Sequence, residues 1–128
     1  MKSLHIITVL CLPMAVGFSQ TNTCDTVDDC QKVIQAKPYS SQAHYRIGEI
    51  LFQEKNYTGA ANEFHDAVIG DLDPRWTEVW SHLQLGKIYD VTNQRYRAIA
   101  EYKKAQQTND NTRGALDEAA RYLDSPYK

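Results

Sequence analysis

Through the middle of the chain, apolar residues recur three and four positions apart and never settle into alternation, a pattern that predicts amphipathic helices and no strands. His44, Ile47, Gly48 and Leu51 form one stripe, and after a turn at residues 55–56 Ala60, Phe64, Ala67 and Val68 form the next. His82, Leu85, Gly86 and Tyr89 then repeat the first stripe, and past a turn near Asn93, Ala98, Tyr102 and Ala105 repeat the second. The two units align at a constant offset of 38 without a gap: His44 falls on His82, Gly48 on Gly86, Phe64 on Tyr102 and Ala67 on Ala105. Each unit therefore reads as a hairpin of two helices.

The small residues have a packing reason. Gly48 and Gly86 leave room where the partner helix approaches, Ala60, Ala67, Ala98 and Ala105 do the same from the other side, and Phe64 and Tyr102 are expected to fill the gap between neighbouring units. A glycine inside a helix costs about 1 kcal/mol relative to alanine, so two in equivalent places imply that close packing offsets the loss.

These residues resemble the tetratricopeptide repeat, whose pattern runs W-x2-L-G-x2-Y, then A-x3-F, A and a closing P. Ile47, Gly48, Leu51, Ala60, Phe64 and Ala67 match it in the first unit, and Leu85, Gly86, Tyr89, Ala98, Tyr102 and Ala105 in the second. Histidine replaces the opening tryptophan in both, and Leu72 and Asp110 stand where proline is expected. The family period is about 34, so the offset of 38 places extra residues around 75–78, lengthening the start of the helix that carries Trp76 and Trp80. The resemblance implies an all-α chain, a short superhelix of helical hairpins ending in a capping helix. Its expected divisions are a half repeat at 26–38, repeats at 41–74 and 75–110, a cap at 112–123 opened by Asn111 or Thr112, and a tail at 125–128. In the cap, Leu116, Ala119, Ala120 and Leu123 are expected inward, and Asp117, Glu118 and Arg121 outward.

The N-terminus changes the picture of location. Lys2 followed by a mostly apolar stretch at residues 4–16, then Pro13, Gly17 and Ser19, reads as a signal peptide over residues 1–19, cleaved after Ser19 or alternatively after Gly17, with a linker at 20–25. That reading expects an exported protein, periplasmic or secreted, with no membrane span after cleavage. It removes one of 14 basic residues and none of 16 acidic ones, leaving a net charge of -3 and no basic surplus for nucleic acid. Of the cysteines it leaves Cys24 and Cys30, a disulfide candidate provided Cys24 precedes the helix and folds back.

In the resembled family the first helix of each hairpin lines a concave groove for a peptide or helix. Projecting that face gives Gln42, Tyr45, Glu49 and Phe52, then Trp80, Leu83, Lys87 and Asp90, with Arg121 from the cap. Aromatic anchors rimmed by mixed charge suit protein recognition. The chain carries no nucleophile elbow, phosphate loop or metal-helix motif, so no catalytic residue, metal or cofactor is expected. The expected role is a non-catalytic interaction module acting outside the cytoplasm on a protein or peptide partner; the alternative is a self-associating structural subunit of an envelope assembly.

Overall fold

A computed structural model describes residues 23–128. Six α-helices follow one another: α1 (Val27–Ala36), α2 (Ser41–Gln53), α3 (Tyr57–Ile69), α4 (Trp76–Val91), α5 (Arg95–Gln107) and α6 (Ala115–Asp124). There is no strand among the described residues. The chain is all-α, its helices packed in consecutive pairs as in a helical-repeat solenoid, with α2 on α3 and α4 on α5 as the tightest. α4 also touches α2 on one side and α6 on the other, so the first helices of the hairpins form a row. No described helix is long and apolar enough to cross a membrane. The expected signal peptide and the first part of the linker lie outside the described residues.

Local chemistry sets where the helices begin and end. Thr26, Ser40 and Asn56 each lend a side-chain oxygen to a backbone N–H in the first turn of α1, α2 and α3. The two hairpin turns are copies. Lys55 and Asn93 both adopt a left-handed φ of 60°, and the next residue donates its N–H back to the carbonyl of Leu51 or Tyr89 at 2.9 and 2.7 Å. α4 starts three residues earlier than α2 at the 38-residue offset, which absorbs most of the added length between units.

The main core joins Tyr45, Ala60, Phe64, Val79, Leu83, Leu85, Ala98, Tyr102, Ala115 and Ala119. Inside each hairpin the aromatic ring lies on the glycine opposite. A Cβ at Gly48 would stand 2.7 Å from Phe64 Cε1, and one at Gly86 only 2.3 Å from Tyr102 Cε1. Both rings thus pack within their own hairpin, which corrects the expectation that they fill the gap between neighbouring units, because each glycine opens a space that only the facing helix can occupy. A smaller core of Cys24, Cys30, Ala43 and Ile47 seats α1 on α2. Cys24 precedes α1 and folds back on Cys30, with the sulfurs bonded at 2.00 Å.

The cap departs from the sequence reading. A helix from residue 112 is blocked because Arg113 and Gly114 take left-handed φ values of 56° and 75°. Residues Thr112–Gly114 form a 3-10 turn, and α6 begins at Ala115. Asn111 still caps it, accepting from Leu116 N–H at 2.9 Å. Its inward face also differs: Ala115 and Ala119 are buried, Ala120 is exposed, and Glu118 points inward to Lys87.

Candidate functional site

The row of α2, α4 and α6 carries the residues expected to line a groove, and divides them into an open end and a covered end. At the open end Tyr45 is buried, its ring packed on Phe64 (5.5 Å between centroids) and edge-on to Trp76 (5.1 Å). Burial is the main reason its hydroxyl is harder to ionise than an ordinary tyrosine, with the Glu49 carboxylate adding to it. Trp76 lies beneath the Arg113 guanidinium at 5.1 Å. Gln42, Tyr45, Arg46, Glu49, Trp76 and Arg113 help to line a cavity of about 220 Å³ reaching the segment around Cys24. Its rim charges are mixed, Arg46 and Glu49 pairing at 3.1 Å.

Trp80 marks the middle, its indole N–H donating to the Thr112 carbonyl at 3.0 Å. Beyond it Lys87 is buried and its ammonium meets Glu118 at 2.7 Å. The same ammonium stands 5.4 Å from the ring centres of Tyr122 and Tyr127 and 6.0 Å from that of Trp80. Asp90 has a side chain only 1% exposed. It accepts from Arg95 at 3.1 Å, from the Tyr102 hydroxyl at 2.8 Å and from Tyr127 N–H at 2.9 Å. Tyr127 follows the last helix and returns across this end, its ring facing Tyr122 at 5.3 Å and Phe52 at 6.3 Å.

Helical spacing placed nine residues on one face, but the structure separates face from depth. Gln42, Glu49, Phe52 and Trp80 are half-buried along it, and the Arg121 side chain, 69% exposed, stands at its rim. Leu83 is fully buried among the core residues and is corrected to a packing residue. Lys87 and Asp90 are corrected likewise, because their charges are already paired inside the chain. Sequence reasoning missed Tyr122 and Tyr127, Arg46 and Arg113, and it did not count Trp76 among the groove residues. Tyr127 follows a proline outside any periodic segment, so no spacing signal marked it.

A second missed feature did leave a signal. His44 meets Glu63 at 2.8 Å and His82 meets Glu101 at 2.7 Å, both partners obeying the 38-residue offset. The hydrogen bond to Glu63 raises the His44 pKa, against partial burial. Burial pushes the Glu101 carboxyl up, but hydrogen bonds from His82 and Lys104 outweigh it and hold the carboxyl below its ordinary value of 4.5. A depressed carboxyl binds fewer protons folded than unfolded, so its contribution is complete above that value and fades as pH falls below it. The melting-temperature gap between wild type and Glu101→Gln should therefore be fully open by about pH 6 and shrink by about pH 3.5. A gap that stays constant on acidification would refute the charged pair.

With these positions fixed, the chain resembles nuclear autoantigenic sperm protein. It is 29% identical to the Homo sapiens protein over 94 residues, covering 69% of this chain and 12% of that one. It is 28% identical to the proteins of Oryctolagus cuniculus and Bos taurus over 94 residues, covering 13% and 12% of their lengths. The chain thus spans about an eighth of the curated relatives it matches. No protein-family model and no solved structure matches it. The relatives are named as nuclear proteins, and this finding corrects the exported, periplasmic or secreted location read from the N-terminal segment, along with a role outside the cytoplasm.

Proposed function

We propose that the chain is a non-catalytic protein-interaction module of the tetratricopeptide type, which takes a peptide or helix of a partner along the face of α2, α4 and α6. The observation that carries this reading is the cavity over Tyr45 and Trp76, an apolar floor with Arg46, Glu49 and Arg113 at its rim. Such a floor desolvates an apolar side chain, while the rim charges fix its orientation. The likeness to a protein named as nuclear supports an intracellular setting.

Tyr45 is a poor probe because it belongs to the core. The test instead compares wild type with Trp80→Ala/Arg113→Glu, and with a control at Tyr96, which is 93% exposed on α5. A partner captured from cell extract by wild type and the Tyr96→Ala control, and at least about tenfold less by the groove variant of unchanged helicity, supports the reading. Equal capture by all three overturns it.

Self-association is the second reading, favoured by one observation. Tyr39 and Ile69 are 72% and 74% exposed, in segments joined by the Asp71 N–H to Tyr39 carbonyl bond of 2.8 Å. A molar mass that rises with concentration, and falls back in Tyr39→Ser/Ile69→Ser, would place the contact there.

A further inference from the structure

The two hairpins share a histidine–glutamate pair and part company one turn further on. In the first, Asp66 brings Oδ2 to 4.0 Å from His44 Nδ1, beside Glu63 Oε2 at 2.8 Å from the same nitrogen. In the second, the residue equivalent to Asp66 is Lys104, whose ammonium closes on Glu101 at 2.8 Å. The second cluster is therefore complete in itself, with imidazole and ammonium around one carboxylate. The first sets two carboxylates on one imidazole, and among the described residues the ion pairs of Glu63 and Asp66 run only to His44.

The other nitrogen of His44 fixes the ring. Nε2 lies 3.0 Å from the Pro38 carbonyl oxygen, which can only accept, so Nε2 carries hydrogen and donates. Nδ1 is then the atom that can offer a lone pair, and it faces both carboxylates. An imidazole held by a backbone carbonyl through one nitrogen, with the other turned toward acidic oxygens, is the arrangement of a metal-ligating histidine. The donor atoms of His44, Glu63 and Asp66 all lie within 4.8 Å of one another.

We propose that His44 Nδ1, Glu63 and Asp66 bind one divalent transition-metal ion, in the place of the proton that His44 gives to Glu63. Zinc takes imidazole nitrogen and carboxylate oxygen at about 2.0–2.2 Å, which spaces donors about 3.3 Å apart. The His44–Glu63 contact opens by roughly half an ångström to reach that spacing, and Asp66, with a side chain 52% exposed, swings in by a similar amount. Water completes the coordination on the open side. Two carboxylates balance the 2+ charge, and the imidazolium releases its Nδ1 proton to solvent as the nitrogen takes up the metal. One imidazole among the donors favours zinc and its neighbours over magnesium or calcium, which prefer all-oxygen sets. Because His44 lies on α2 and the carboxylates on α3, the ion also ties the first hairpin together.

The test is a calorimetric titration of the full chain with zinc chloride, without reductant so that Cys24 and Cys30 stay bonded, in two buffers of different protonation enthalpy. One ion per chain is expected, with proton release at about pH 6. Asp66→Lys, which copies the second hairpin, should weaken zinc at least about 100-fold, and Asp66→Asn, which keeps the shape, at least about tenfold. His82→Gln should leave the affinity within about twofold, and magnesium should not compete. Zinc binding that survives both Asp66 variants overturns the proposal, as does an absence of binding up to about 1 mM.

Discussion

Gly86→Ala is expected to destabilise the fold by about 2 kcal/mol or more, and Gly48→Ala by clearly less. Both changes gain about 1 kcal/mol of helix propensity, so the sign rests on packing. The new Cβ at Gly86 would meet Tyr102 Cε1, Cδ1 and Cζ at 2.3, 2.6 and 2.7 Å, far inside ordinary contact. The Tyr102 ring cannot retreat easily, because it is fully buried and its hydroxyl is held by Asp90 at 2.8 Å. At Gly48 the three contacts are 2.7, 2.8 and 2.9 Å, and Phe64 has no hydroxyl to tether it. For a domain of this size 2 kcal/mol corresponds to a melting temperature lower by roughly 10 °C. Tyr102→Phe should relieve part of the Gly86→Ala cost, measured as a coupling energy in a double-mutant cycle. Equal costs at the two glycines, with no coupling to Tyr102, would show that the tether does not matter.

The second large effect is expected at Asp90. Asp90→Ala removes the acceptor for Arg95, Tyr102 and the Tyr127 backbone at once, and should cost about 3 kcal/mol. Most of that loss comes from Tyr102, whose buried hydroxyl is left without its acceptor, since the Arg95 side chain is 31% exposed and recovers water. Asp90→Asn keeps one acceptor oxygen and should cost about half as much. The change also frees residues 125–128 from the groove face, so the Tyr127 amide should exchange faster by more than the global loss of stability explains. Unchanged exchange at Tyr127 would mean that its ring contacts with Phe52 and Tyr122 hold it unaided.

The fold class was legible because the chain states its packing rule twice. A pattern recurring at a fixed offset, with small and aromatic residues in matched places, encodes the helices and their close approach at the glycines, but not that each ring packs inside its own hairpin. The candidate face was legible only as a direction. Spacing says which way Leu83 and Asp90 point along α4, but depth depends on how closely α6 and residues 125–128 lie over them, which no local pattern records. Asn111 was visible as a capping residue, whereas the left-handed turn at Arg113 and Gly114 was not, since arginine carries no preference for it. The paired glutamates could have been found, since they obey the same offset as their histidines. The location was misread because one lysine before a short apolar run, broken by His5 and Thr8, is a pattern of low information.

The separation of the cores gives the molecule two grades of cooperativity. α1 touches the rest mainly through α2, across a cluster of four buried residues, while α2 to α6 share one continuous interior. Local opening therefore begins at α1 without disturbing the larger unit. The covalent loop from Cys24 to Cys30 closes within that first segment, so it shortens the excursions of α1 and leaves the unfolding of the main body to side-chain packing.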